Sequence, residues 1–389
     1  MQNARKGRLH PAVGLARNEV ADSLNDLLGA GTVAASGRAS GEHADVEKPL
    51  VLVACSGGPD SLALVAICAH FARRGSVRVG AVVVDHQLQE GSGQVAQQAA
   101  QQCTDLGVHP VLVKSVRVDN SNEGPEMAAR LARYGAFEEA VAETGAVAIL
   151  LAHTLDDQAE TVLLGLARGS GTRSLAGMPK VRGENGVTYL RPLLQVRRTD
   201  IEKICAAENL TPWNDPTNTD QTLMRAKVRH SVLPYLEENL GGDVAISLAR
   251  TASIAGPDAD FLHQQALQAF ESVTVSLEDV GGLDRLNLPG SPDSAPSLLL
   301  LNRQILAELH PALMHRVLAL AVKKVGGESP GFERLSALTA FAREHSQAGP
   351  LQLAGHVSAY RRRPTTKLFR QDREYNFKQT GVIAFIGNQ

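Results

Sequence analysis

No two cysteines in this chain have the Cys-x-x-Cys spacing. The four present, Cys55, Cys68, Cys103 and Cys205, stand apart. That argues against zinc and iron–sulfur ligand patterns and against a dense disulfide framework, and it fits a reduced, cytoplasmic setting. Long apolar runs are missing as well. Nothing reaches the roughly 18 residues of a membrane-crossing helix, and the basic stretch MQNARKGRLHPAVGL lacks the extended apolar core of a secretory signal. Aromatic residues make up only 4% of the chain, so extensive base stacking is not expected. Net charge is −2, with 43% hydrophobic and 21% charged residues; this is a globular composition and not a polycation.

The chain has 389 residues, enough for two or three domains at roughly 100–200 residues each. Its most informative stretch is VLVACSGGPDS, Val51 to Ser61. Small apolar residues run into a glycine pair, and a second apolar run starts at Leu62. This reads as strand, tight loop, helix, with Asp60 or Ser61 as helix N-cap. Two glycines let the backbone turn and expose its N–H groups. With the hydroxyls of Ser56 and Ser61 and the positive end of the helix, they make a phosphate cradle. The loop has no lysine and is not a Walker-type P-loop.

The flanking pattern supports a nucleotide site. Leu50–Ala54, Val77–Val84, Val111–Val118 and Ala146–Ala152 read as strands. Asp60–Ala72, Gln94–Leu106, Gly124–Thr144 and Asp157–Arg168 read as the helices between and after them. Such alternation predicts a parallel sheet covered by helices on both faces, with ligands at the carboxyl ends of the strands. Three strand ends carry polar groups: Ser56–Ser61, Asp85–His86 and His153–Asp157. In HTLDDQAET (His153 to Thr161), Asp157 and Glu160 are three apart and share the first turn of a helix. They can hold Mg²⁺ beside phosphates or bind an ammonium group; the plainer alternative is a capping cluster with Asp156 as N-cap.

Four segments are expected: a helix (Pro11 to Leu28) and flexible linker over 1–48, a nucleotide-binding catalytic domain over 49–240, a helical substrate-binding domain over 241–345, and a short, basic, α/β or strand-rich domain over 346–389. No internal repeat is evident. From Arg361 to Lys378 the tail carries seven Lys or Arg against two acids.

SGGPDS resembles the PP-loop of the N-type ATP pyrophosphatases, which cleave ATP between the α- and β-phosphates. HTLDDQAET is similar to the HxxDDQxET motif of the tRNA(Ile)-lysidine synthetases within that superfamily. EMAARLARY (Glu126 to Tyr134), GMPKVRG…YLRPLL (Gly177 to Leu194) and NDPTNTDQTLMRAKVRHSVLP (Asn214 to Pro234) resemble further family segments in the same order. The last is the most discriminating. It departs in one place: the family's Arg-Asn stands here as Arg225-Ala226, which removes a polar contact of that Asn. The resemblance is firm over about 50–240 and weaker beyond.

The resemblance implies ATP-dependent ligation of free L-lysine to the 2-position of the wobble cytidine of an isoleucine tRNA with a CAU anticodon. The reaction passes through an adenylated cytidine and releases pyrophosphate and AMP. It implies ATP binding by Ser56, Gly57, Gly58, Pro59, Asp60 and Ser61, with Asp85 and His86 bordering the nucleoside. Asp60 and Asp157 become candidate Mg²⁺ ligands. Asp60, Asp157, Glu160 and Arg225 form the catalytic group, with metal and lysine both open as what Asp157 and Glu160 hold. Arg130, Arg133, Arg191 and Arg229 are weaker candidates, equally readable as structural ion-pair partners. Contacts to tRNA are expected from Arg361, Arg362 and Arg363 in the tail, and from Arg173, Lys180, Arg182, Arg191, Arg197, Arg198 and Lys203. A homodimer is left open. The rivals are a tRNA 2-thiocytidine synthetase, disfavoured by the absent Cys-x-x-Cys, a small-molecule ligase of the GMP or NAD synthetase kind, and a non-catalytic nucleotide-binding module.

Overall fold

A computed structural model describes residues 9–34, 48–87, 91–117, 125–169, 171–215, 222–288, 297–343, 350–364, 367–370, 373–377 and 381–387. The chain divides into two compact units, Met1–Gly256 and Pro257–Gln389.

The first unit begins with α1 (Pro11–Leu28), whose apolar stripe of Val13, Ala16, Val20 and Leu24 is buried. The Asn25 side chain bonds both the N–H and the C=O of Val33 at 2.8 Å, tying down the start of the stretch expected to be linker. Residues 35–47 of that stretch lie outside the described residues. The alternating region then unfolds in order: β1 (Leu50–Ala54), α2 (Pro59–Arg73), β2 (Arg78–Asp85), α3 (Ser92–Asp105), β3 (Val111–Ser115), α4 (Pro125–Thr144), β4 (Ala148–Leu150) and α5 (Leu155–Ala167). It continues with α6 (Thr172–Leu175), β5 (Val181–Glu184), β6 (Val187–Leu190) and α7 (Arg198–Ala207). The strand order is β3-β2-β1-β4-β6-β5, parallel except for the antiparallel β5–β6 pair.

The expected parallel sheet is therefore present, and side-chain alternation places its two cores. Val51 and Val53 of β1 join the core formed with α1, α2, α3 and α7. Leu50 and Leu52 point to the opposite face, against Tyr134, Phe137 and Ala140 of α4. The chain fills the sheet outward from β1 to β3 and then returns to place β4 on the other side of β1. The carboxyl ends of β1 and β4 thus flank a reversal of strand order, where open α/β sheets leave a crevice for ligands.

After α7, α8 (Met224–Lys227) passes through a π-helical turn, Val228–Val232, into α9 (Leu233–Leu240). Val228, Leu233, Ala245 and Ala249 pack on Leu155 and Ala159 of α5, so this segment lies along the signature helix. The unit ends inside α10 (Val244–Val273), at the residue before Pro257.

The second unit holds a five-stranded antiparallel sheet in the order β7 (Thr274–Val275), β8 (Ser297–Asn302), β13 (Val382–Gly387), β10 (Val357–Arg362) and β9 (Leu351–Leu353). Between these strands come α11 (Arg303–Glu308), α12 (Pro311–Lys324), α13 (Phe332–Arg343) and a hairpin, β11 (Lys367–Arg370) with β12 (Arg373–Asn376). Ser297–Asn302 lies within the segment expected to be helical, and it pairs along its length with Val382–Gly387 of the tail. Residues before and after 346 thereby build one sheet. No helix among the described residues is long and apolar enough to cross a membrane.

Candidate functional site

The glycine loop is closed by its own serine. Ser61 Oγ accepts the Ser56 N–H at 3.1 Å and donates to the Gly58 carbonyl at 3.0 Å. Ser61 is buried, whereas Ser56 is exposed. Gly57 sits at φ +81°, and a Cβ there would come within 3.1 Å of the Ala99 Cβ on α3. Its backbone conformation and its neighbour both call for glycine. The helix cap differs from expectation. Gly58 is the N-cap of α2 and Pro59 opens the helix, because proline's fixed φ and missing N–H suit a first helical position. Asp60 consequently stands inside the first turn, beside N–H groups that a helix leaves without internal partners.

A second set of groups comes from α5. Its N-cap is Thr154, not Asp156, and Asp157 completes a capping box. Asp157 Oδ2 accepts the Thr154 N–H at 2.8 Å and its hydroxyl at 2.9 Å. Asp156 instead caps α7: its carboxylate accepts the Arg198 N–H at 2.7 Å and is held by the Arg197 guanidinium. Arg197 also pairs with Asp243.

Asp157 and Glu160 do come together, and two arginines hold them. Arg229 donates through Nε to Glu160 Oε1 at 2.7 Å, and through Nη2 to Glu160 Oε2 at 3.1 Å and Asp157 Oδ1 at 3.0 Å. Arg198 Nη2 donates to Asp157 Oδ1 at 2.8 Å, and its Nη1 lies 3.5 Å from Glu160 Oε1. Burial pushes the Asp157 carboxyl up, but Arg198, the Thr154 N–H, His153 and Arg229 outweigh it and leave it below its usual value. Arg225 is exposed and donates to Thr161 Oγ1 at 3.2 Å. Ala226, at the family's asparagine position, is buried.

Asp60 is the acid left over. Burial and the neighbouring Asp157 push its carboxyl up to about 6, against the pull of Arg198 and Arg229. Its Oδ1 is buried without a partner. A cation coordinated also by phosphate oxygens fits this lone carboxylate. Asp157 fits that role poorly, because its two oxygens already receive four donors. Among the described residues no three His, Cys, Asp or Glu side chains cluster as a metal site by themselves.

The other strand ends are less charged. Asp85 is buried and accepts the Gln87 N–H at 3.0 Å. Burial, aided by Arg133 and opposed by Asp85, lowers the His86 imidazole. His153 is driven to about 4 by burial first, then opposed by Asp157 and aided by Arg191, Arg133 and Arg225. Both histidines have an unpartnered, buried Nδ1. Arg191 is buried and donates to the Pro179 carbonyl at 2.8 Å. Arg130 lies over the Tyr134 ring at 4.7 Å.

Several residues expected on an RNA surface have other work. Arg197 and Arg198 pair with the acids of α5, Arg182 with Glu184 and Lys203 with Asp200, while Lys180 and Arg173 are exposed. In the tail, Arg361 is buried, bonds the Phe341 carbonyl and lies 5.0 Å over its ring. Arg362 bonds the Asn287 carbonyl, and Arg363 is exposed. Thr154 was not singled out in the sequence, and Arg198 was read as an RNA contact where the structure pairs it with Asp157. Arg198 meets its acids across 41 residues, a pairing that no local spacing announces.

A profile described as a PP-loop domain matches residues 34–236. A tRNA(Ile)-lysidine synthase of Leifsonia xyli subsp. xyli is 45% identical over 306 residues, covering 79% of this chain and 86% of that one. Those of Streptomyces coelicolor and Salinispora arenicola are 50% and 43% identical, covering 63% and 80% of this chain and 68% and 88% of theirs. Among solved structures, the U34-tRNA thiolase NcsA from Methanococcus maripaludis overlays with a TM-score of 0.46 at 17% identity, covering 61% of this chain and 78% of that one. With its SGGPDS loop at the β1–α2 turn, its acids on α5 and relatives of this identity over most of their length, the chain belongs to the tRNA(Ile)-lysidine synthase family of PP-loop proteins.

Proposed function

We propose that this protein uses ATP to join the ε-amine of free L-lysine to C2 of the wobble cytidine in an isoleucine tRNA with a CAU anticodon. The observation that carries the reading is the meeting of the glycine loop, Asp60 and the arginine-held acids of α5 at the reversal of strand order.

Two steps are required. The cytosine O2 attacks the α-phosphorus of ATP and pyrophosphate departs, turning a poor leaving group into an AMP ester. The lysine amine then attacks C2, AMP leaves with the C2–O bond electrons, and the nitrogen loses a proton. In this reading the loop at Ser56–Ser61 and the N-terminus of α2 cradle the pyrophosphate, and Asp85 and His86 border the nucleoside. Asp60 would hold Mg²⁺, which when bound neutralises charge on the phosphates. Arg225 faces the activated base, where a guanidinium stabilises developing negative charge. Asp157 and Glu160 serve the site through the arginines they hold.

Burial keeps the His153 imidazole uncharged, aided by Arg191, Arg133 and Arg225 and opposed by Asp157. A neutral lysine amine is the form that attacks. The four free thiols suit a reduced cytosol.

The test is direct. Incubated with ATP, Mg²⁺, radiolabelled lysine and an isoleucine tRNA with a CAU anticodon, the protein should put label into RNA with release of AMP and pyrophosphate. Absence of label, with pyrophosphate released on a purine nucleotide acceptor, would replace this reading with a small-molecule ligase.

A further inference from the structure

The glycine loop is held from outside as well as by its own serine. The Gly57 carbonyl accepts the Trp213 N–H at 2.9 Å. On its other side the Gly57 N–H faces the Cys55 sulfur. Both polar groups of Gly57 are thereby engaged, and the peptide that joins it to Gly58 has a set orientation. That peptide is trans, so its N–H points opposite to its C=O. Drawing the Gly57 carbonyl to Trp213 therefore turns the Gly58 N–H the other way, to the side of the Ser56 hydroxyl, 3.4 Å off. A contact of that length is weak, and a phosphate oxygen can replace it. Ser56 is exposed, so this N–H stands on the open side of the loop.

Trp213 is itself placed from a distance. Two residues earlier, Thr211 is gripped by the side-chain amide of Gln102 on α3. That amide donates to the Thr211 carbonyl at 3.1 Å and accepts the Thr211 N–H at 3.3 Å. Both halves of one amide on both polar groups of one residue fix its position and its direction together. Pro212 lies between. Its fixed φ, and the extended backbone it imposes on Thr211, carry that setting to Trp213. α3 also touches the loop directly, because Ala99, three residues before Gln102, stands 3.1 Å from where a Gly57 Cβ would lie. One helix thus sets the loop twice, by packing at Ala99 and by the relay from Gln102 through Thr211 to Trp213. The relay adds nothing to the core. Gln102 is half-buried and Thr211 exposed, so these two hydrogen bonds contribute little to stability.

We propose that Gln102 is a positioning residue for the first step of the reaction: through Thr211 and Trp213 it aims the Gly58 N–H at the phosphate oxygens that leave as pyrophosphate. This rests on the ATP chemistry proposed above. Negative charge collects on the pyrophosphate as its bond to the α-phosphorus breaks, so a donor already aimed there stabilises the transition state.

Inorganic pyrophosphate with Mg²⁺, titrated into the full chain by calorimetry, tests the relay without catalysis. Gln102→Met removes both bonds to Thr211 and keeps the side-chain length and helix preference. It should weaken pyrophosphate at least about threefold, since one hydrogen bond is misaimed, and leave the melting temperature unchanged. Substitutions at Trp213 isolate the N–H, because Trp213→Ala keeps it and Trp213→Pro removes it. Gln102→Met should cost as much in the Trp213→Ala chain as in wild type. In the Trp213→Pro chain it should cost nothing further, because the bond it acts through is already gone. The proposal is overturned if Gln102→Met binds pyrophosphate as wild type does, or if wild type binds none. A loss that adds in full to that of Trp213→Pro also overturns it, since Gln102 would then act by another route. So does a lowered melting temperature in Gln102→Met, which would make the residue a structural clasp. A wild-type chain that meets these titrations but fails to label tRNA defeats the functional reading alone and leaves the relay standing.

Discussion

Asp60 shows what a single residue costs a fold when chemistry needs it there. Its carboxyl titrates near 6 in the folded chain, against about 3.9 for an unperturbed aspartate. Below about pH 4 both folded and unfolded forms hold the proton, and the residue costs nothing. Between these values only the folded chain holds it, and above about 6 the full penalty of the buried charge is present. Stability of the first unit should therefore rise as pH falls from 7.5 towards 5. Asp60→Asn should raise it at pH 7.5 by about 1–3 kcal/mol, at roughly 1.4 kcal/mol per pKa unit, and the gain should vanish near pH 4. Thermal unfolding of the two proteins across pH checks this, and a gain independent of pH would refute it. The same variant should lose lysine incorporation. The sequence indicated that Asp60 lay in the loop, but not its isolation, which depends on three arginines from distant segments satisfying Asp156, Asp157 and Glu160.

Among elements, α5 carries the most and was read the least completely. Its strand-to-helix position and its acids were legible from HTLDDQAET, since an apolar run followed by polar first-turn residues is local information. The choice of cap was not. Thr154, Asp156 and Asp157 are all good caps by residue type. What decides among them is that Asp156 is drawn away by Arg197 and by the first N–H of α7. Thr154 is fully buried, and its hydroxyl both accepts the Asp157 N–H and donates to the Asp157 carboxylate. Thr154→Ala should cost about 1–2 kcal/mol, in the upper range for a lost cap, and should reduce activity, because the first turn also places Asp157. Thr154→Ser keeps the hydroxyl and should restore most of both. Denaturant unfolding read beside lysine incorporation checks the pair. Equal losses in the two variants would show that the methyl group matters and the cap does not.

Across the whole molecule, regular alternation made the parallel sheet and the strand-rich tail legible, while the strand Ser297–Asn302 that joins the tail's sheet was hidden. Ser297–Asn302 and Val382–Gly387 pair over a separation that no window of sequence spans. Charge suffered the same loss of context. Arg361, Arg362 and Arg363 read as one basic run, yet a strand sends alternate side chains to opposite faces. Arg361 is turned inward to Phe341, Arg362 reaches the Asn287 carbonyl, and Arg363, just past the strand, faces solvent. One basic run should then give two different phenotypes. Arg361→Ala removes a buried guanidinium that bonds a carbonyl and covers a ring, and it should destabilise the second unit by about 2–3 kcal/mol. Arg363→Ala should leave unfolding unchanged. If this face contacts tRNA phosphates, it should weaken tRNA binding for any sequence alike and lower the slope of log affinity against log salt by about 1. Filter binding of tRNA at several salt concentrations, set beside thermal unfolding, separates the two. A salt slope equal to wild type in Arg363→Ala would take that residue out of the RNA surface, and an undiminished melting temperature in Arg361→Ala would refute its role as a structural arginine.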